Sequence, residues 1–161
     1  LEKAGGCMYS PGVGAIDLGS GNDIIHIGKD AVVNDDAMTF RGGSGHLEHD
    51  GIIIKGGAGT DTLDIAGNID FSKVAGFEKL TLGGSENNVK LNLTINDVLN
   101  ITNGNGTNRT LRIDGENGDQ VDMSAFSKGG VNSEGYTEYS ATHNNGTTFT
   151  IEIKDEIVLH S

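Results

Sequence analysis

One nine-residue stretch limits what this chain can become. Gly56-Gly57-Ala58-Gly59-Thr60-Asp61-Thr62-Leu63-Asp64 fits the nonapeptide G-G-x-G-x-D-x-U-x at every fixed position, U being a large apolar residue. Leu18-Gly19-Ser20-Gly21-Asn22-Asp23-Ile24-Ile25-His26 fits it with Leu18 in place of the first glycine, and Gly42-Gly43-Ser44-Gly45-His46 begins a third copy in which Leu47 stands where the aspartate belongs. Calcium takes six to eight oxygens from carboxylates, carbonyls and water. Glycines let the backbone bend so that several carbonyl oxygens face one point. The aspartate adds a carboxylate, and the apolar residue two positions later anchors the loop to a core. The expected ion is Ca2+. Its candidate ligands are Asp17, Gly19, Gly21, Asn22 and Asp23 in the first loop, and Gly57, Gly59, Asp61 and Asp64 in the second.

The two copies are not in tandem: Asp23 and Asp61 lie 38 positions apart (61 minus 23). A β-roll stacks successive copies, with ions between neighbouring turns. The spacing therefore argues against a roll and for two loops that lie side by side at one end of a sandwich, or that serve separate sites. Period-two alternation supports strands. It is clean in Val89–Ile95 and Phe149–Ile153 and partial in Phe77–Leu82, with further candidates at 24–27, 52–54, 62–65, 110–113, 136–140 and 157–159. One short helix fits Asn96–Ile101, with Asn96 or Asp97 as its cap. The 26 glycines against a single proline, and clusters such as Asn103-Gly104-Asn105-Gly106, read as tight turns. The expected fold is all-β: a calcium-stabilised β-sandwich with Gly/Asp-rich loops and at most one short helix. Residues 1–15 read as a leader or linker and 16–161 as one domain.

A second acidic loop, Asp114-Gly115-Glu116-Asn117-Gly118-Asp119-Gln120-Val121-Asp122, crowds four acids into nine residues. Like charges at that density favour a cation, so Asp114, Glu116, Asp119 and Asp122 join the candidate metal ligands. The formal charge of −12, from 23 acidic and 11 basic side chains, excludes a nucleic-acid partner and speaks against an anionic membrane surface. No direct membrane insertion is expected, since no apolar run approaches a transmembrane helix. The single cysteine, Cys7, forms no internal disulfide. Neither G-x-S-x-G, H-E-x-x-H nor a P-loop occurs, and aromatics that would stack on sugars are only 5% of the chain. The chain is thus expected to bind and not to catalyse.

With these loops in view, the stretch from about Ile16 to His160 resembles the C-terminal part of the large repeats-in-toxin (RTX) adhesins of Gram-negative bacteria. The likeness lies in the order of its pieces: Ile16–Ile25, Gly56–Leu63, Gly76–Leu82, Leu91–Leu99, Leu111–Val121 and Tyr136–Tyr139. The resemblance implies a type I-secreted, calcium-dependent module of a longer chain, monomeric and displayed on the bacterial cell surface, that serves adhesion and biofilm formation. Some such modules bind sugars, and others grip the C-terminal carboxylate of a peptide through a protein-held calcium. The scarcity of aromatics favours the peptide type, with a protein or peptide on another cell surface as partner. The polar stretch Asn34–Asp50 then offers a pocket wall with Arg41, His46 and Asp50 as ligand-binding candidates. The alternative is a calcium-rigidified scaffold or spacer with no ligand of its own.

Overall fold

The computed structural model describes residues 2–4, 16–28, 32–33, 54–66, 68–83, 88–106 and 108–159. The described residues form an all-β fold with one short α-helix. Its largest sheet has eight strands in the order β1 (Glu2–Ala4), β3 (Ile24–Ile27), β6 (Thr62–Ile65), β9 (Lys79–Leu82), β11 (Asn108–Asp114), β15 (Thr148–Ile153), β14 (Thr137–Thr142) and β13 (Ser127–Val131). A three-stranded sheet joins β2 (Ile16–Asp17), β5 (Ile54–Lys55) and β8 (Val74–Ala75). Two smaller pairs are β4 (Val32–Val33) with β7 (Asn68–Ile69), and β10 (Lys90–Asn92) with β12 (Gln120–Asp122). Pairing of β1 with β3 brings the start of the expected leader into the large sheet, while residues 5–15 lie outside the described residues.

The strands of the large sheet run mostly parallel. The five neighbouring strands β3, β6, β9, β11 and β15 all run parallel, and so do β2, β5 and β8. Antiparallel pairing is confined to β1 at one edge and to β15-β14-β13 at the other. Parallel neighbours need a crossover between them. Each of the first three coils provides it by placing one short strand in the three-stranded sheet and the next in the large one: β2 then β3, β5 then β6, β8 then β9. Separation in sequence therefore does not prevent stacking. What must match is the point at which each coil enters the strand, and excess length is taken up elsewhere in the coil.

Alternation fixes which side chains face inward. Ile25, Leu63, Leu80, Ile113 and Ile153 stand in register across the five parallel strands, each 1% exposed or less. Ile27, Ile65 and Leu82 form the next ladder. These join Ile54 and Val74 of the smaller sheet and Val98 and Ile101 of the helix in one core. Each such burial contributes roughly 1.5–3 kcal/mol.

The helix α1 spans Ile95–Ile101, and its cap is Thr94, not Asn96 or Asp97. The Asp97 amide donates to Thr94 Oγ1 at 3.2 Å and the Thr94 amide donates to Asp97 Oδ2 at 2.9 Å, closing a capping box. Thr94 had fitted a strand alternation through Ile95, but only Lys90–Asn92 is strand. Residues 157–159 also depart from strand: Asp155–Ile157 is a 3-10 turn.

Candidate metal centre

The inward side of the strands continues past their ends, and there it becomes acidic. Asp23 lies two residues before Ile25, Asp61 two before Leu63 and Glu78 two before Leu80, so the period of two turns all three toward the core. Asp23 is 6% exposed and Asp61 fully buried. The acids stand beside one another because β3, β6 and β9 are in register, and Asp61 and Glu78 each reach back to the coil before. The Asp23 amide donates to Asp61 Oδ1 at 2.9 Å, and the Asp61 amide donates to Glu78 Oε2 at 2.7 Å. One coil further on the same register holds Leu111, and the acidic ladder stops.

The two nonapeptide loops lie directly against each other. The Gly21 amide donates to Ala58 O and the Ala58 amide to Gly19 O, both at 2.8 Å. Asn22 Oδ1 accepts from the Thr60 amide at 2.8 Å, and Asp17 Oδ1 accepts from the Gly19 amide at 3.0 Å. The glycines at 57 and 59 are required by this approach. A Cβ at Gly57 would stand 1.9 Å from Gly19 O, and one at Gly59 would stand 1.8 Å from Gly21 O.

Among the described residues, Asp23 Oδ2 and Asp61 Oδ2 are buried with no hydrogen-bond partner. An ionised carboxylate oxygen in that position is costly unless something neutralises it. Burial raises the Asp61 carboxyl above its ordinary value, and the nearby Asp23 charge adds to this against the opposing Asp23 amide bond. Glu78 is raised for the same first reason, with the Asp61 amide working against the rise and the Asp61 charge adding to it. The chemistry left is a proton or a cation. An all-oxygen donor set with glycine-loop carbonyls beside it suits a hard ion such as calcium. The residues present therefore fit that ion, although among the described residues no three His, Cys, Asp or Glu side chains converge into a metal-holding group.

The remaining candidates are placed elsewhere. Asp64 faces outward from β6, where it bonds His26 Nδ1 and accepts from Thr81 Oγ1 at 2.6 Å. The second acidic loop does not gather its acids at one point. Asp114 accepts from the Tyr136 hydroxyl at 2.6 Å, Glu116 is exposed, and Asp122 accepts from the Ser124 amide, a bond that holds its carboxyl below the usual range. Asp119 is buried with an amide on each oxygen: Val89 donates to Oδ1 at 2.9 Å and Glu116 to Oδ2 at 2.8 Å. It works as a turn staple that needs no ion. Arg41, His46 and Asp50 lie outside the described residues.

Glu78 was missed in the sequence. Its signal was present, since Gly76-Phe77-Glu78-Lys79-Leu80 repeats the spacing of Gly59-Thr60-Asp61-Thr62-Leu63 with glutamate for aspartate. A groove of about 290 Å³ between the start of α1 and the β14–β15 turn, bordered by Asn96 and His143, carries none of these acids. No helix among the described residues is long and apolar enough to cross a membrane.

Fold and site together define a class: an all-β protein of stacked parallel coils with carboxylates turned inward where the coils meet. Comparison takes the assignment no further, for no protein family, no curated protein and no solved structure matches the chain.

Proposed function

We propose that this chain is a calcium-rigidified structural module of an RTX-type protein that is secreted and displayed at the bacterial surface. One observation carries the reading: two buried carboxylate oxygens, Asp23 Oδ2 and Asp61 Oδ2, have no partner among the described residues and lie on adjacent glycine-rich loops. Asp23 and Asp61 would hold the ion, with loop carbonyls completing its shell. Calcium would supply the positive charge that these oxygens lack. The residues themselves do the structural work, since each carboxylate that meets the ion also fixes the amide of the neighbouring coil or has its own amide fixed by one.

The number of sites follows from loop length. Six residues separate β2 from β3 and β5 from β6, but only Gly76, Phe77 and Glu78 separate β8 from β9. Among the described residues, full glycine loops face each other once, between residues 18–23 and 56–61, which supports a single site there. A fold that needs this ion forms where calcium is plentiful, in keeping with the extracellular placement that the RTX resemblance implies. The peptide-gripping reading would use the same ion with an open position together with Arg41, His46 and Asp50, which lie outside the described residues.

The test is thermal melting of the chain in chelator and in millimolar calcium, with isothermal calorimetry for stoichiometry. The expected outcome is one ion per chain and a melting temperature that rises with calcium concentration, as linkage requires. An unchanged melting temperature together with no binding heat would overturn the reading.

A further inference from the structure

We infer that Glu78, which belongs to no glycine-rich loop, is a positioning residue that sets how tightly the Asp23–Asp61 site holds its cation. This inference rests on the calcium reading above. Three features of the structure point to it.

The first is register. β6 and β9 pair Thr62 with Lys79, which sets Glu78 beside Asp61 as Asp61 is set beside Asp23. The second is the bond itself. Glu78 Oε2 takes the amide of Asp61, the residue whose own Oδ2 is buried and unpartnered. Glu78 thus holds the main chain from which the orphaned carboxylate projects. A glutamate makes this contact from a loop three residues shorter than its neighbour, the extra methylene serving as reach. The third is the next coil. Leu111 occupies the same register against the same sheet, so the stacking of parallel coils does not itself demand an acid there.

Charge gives the residue its role. Asp23 and Asp61 together balance a divalent ion, and Glu78 adds a third negative group in the adjacent position. Site charge and site rigidity are the quantities that tune calcium affinity, and Glu78 contributes to both. Without the ion, the same charge beside Asp61 works against folding. Loss of the charge alone should therefore move ion-free stability and ion affinity in opposite directions, which a purely structural contact would not do.

The experiment compares wild type with Glu78→Gln, Glu78→Asp and Glu78→Ala, each melted in chelator and titrated with calcium. Glutamine keeps an oxygen for the Asp61 amide and removes the charge. The expected result is a higher melting temperature than wild type in chelator and a calcium dissociation constant raised about tenfold or more. Glu78→Asp restores the charge and should return affinity toward wild type, whereas Glu78→Ala lowers both stability and affinity. If wild type binds calcium and Glu78→Gln binds it with an unchanged constant, the role assigned to Glu78 is overturned while the calcium reading stands. If wild type binds no calcium, both fall together.

Discussion

The coil-on-coil contact of the two nonapeptides can be tested by one methyl group placed at equivalent positions. Gly21 and Gly59 occupy the same place in the two copies, and both have positive φ, +118° and +142°. An alanine at either is strained by roughly 1–2 kcal/mol for its backbone alone. Their surroundings differ. A Cβ at Gly21 meets no described atom within 4 Å, whereas one at Gly59 would lie 1.8 Å from Gly21 O and 2.6 Å from its carbonyl carbon. That obstacle is backbone and cannot swing aside, so the loops must separate. Four contacts hold them together: Gly21 to Ala58, Ala58 to Gly19, Thr60 to Asn22, and Asp23 to Asp61. At about 0.5–1.5 kcal/mol net for each bond, their loss costs about 2–6 kcal/mol beyond the backbone strain. Against a typical total of about 5–15 kcal/mol, Gly59→Ala approaches the limit of folding. Thermal unfolding of both variants in the same calcium buffer reads the difference directly. Gly21→Ala should lower the melting temperature by about 2–8 °C, and Gly59→Ala by clearly more. Equal losses at the two positions would refute the stacking of these coils, and with it the register on which the metal centre depends.

Two further outcomes follow from other parts of the chain. Burial raises Asp61 and Glu78 above their ordinary values of 3.8 and 4.5, so ionising them opposes folding; their contribution is full below those values and is lost as pH rises through the raised folded ones. In chelator the melting temperature should therefore rise as pH falls from neutral through the raised values of these two acids, because Asp70 and Asp122, lowered by bonds to Ser72 and Ser124, withdraw their support only below 3.8. A steady fall across that window by scanning calorimetry would contradict the placement of these acids. Thr94→Ala opens the capping box of α1 and should cost about 0.5–2 kcal/mol in urea unfolding. Its calcium affinity should equal that of wild type, because Thr94 belongs to the helix start and not to the acidic ladder.

The legible part of the fold was whatever a short window contains. Alternation identified β3, β6, β9 and β15 because each carries two or three inward apolar residues at even spacing. Strand direction was not legible, for no residue within Thr62–Ile65 records that its neighbour is Ile24–Ile27, reached across 38 positions, and not an adjacent hairpin strand. Stacked coils need not be equal in length. The structure has steps of 38 and then 17 between successive rungs of the acidic ladder. The motif marks Asp23 and Asp61 as loop carboxylates but does not record that they turn inward. Counting back from Ile25 and Leu63 by twos would have turned them inward.

That inward turn separates the acids of this chain into two kinds. A carboxylate in a core position must be met by donors or neutralised. Asp119 is met: the turn from Glu116 and the amide of Val89 occupy its two oxygens, so the crowded loop at 114–122 is explained without a metal. Asp23 and Asp61 each leave one oxygen with nothing, at the only place where two full glycine loops face each other among the described residues. If glycine-rich turns with buried aspartates were only a way to close coils, both sites would show the satisfied arrangement of Asp119. The unsatisfied pair is what sets the first coils apart, and it makes them the part of the fold whose stability should answer to a cation.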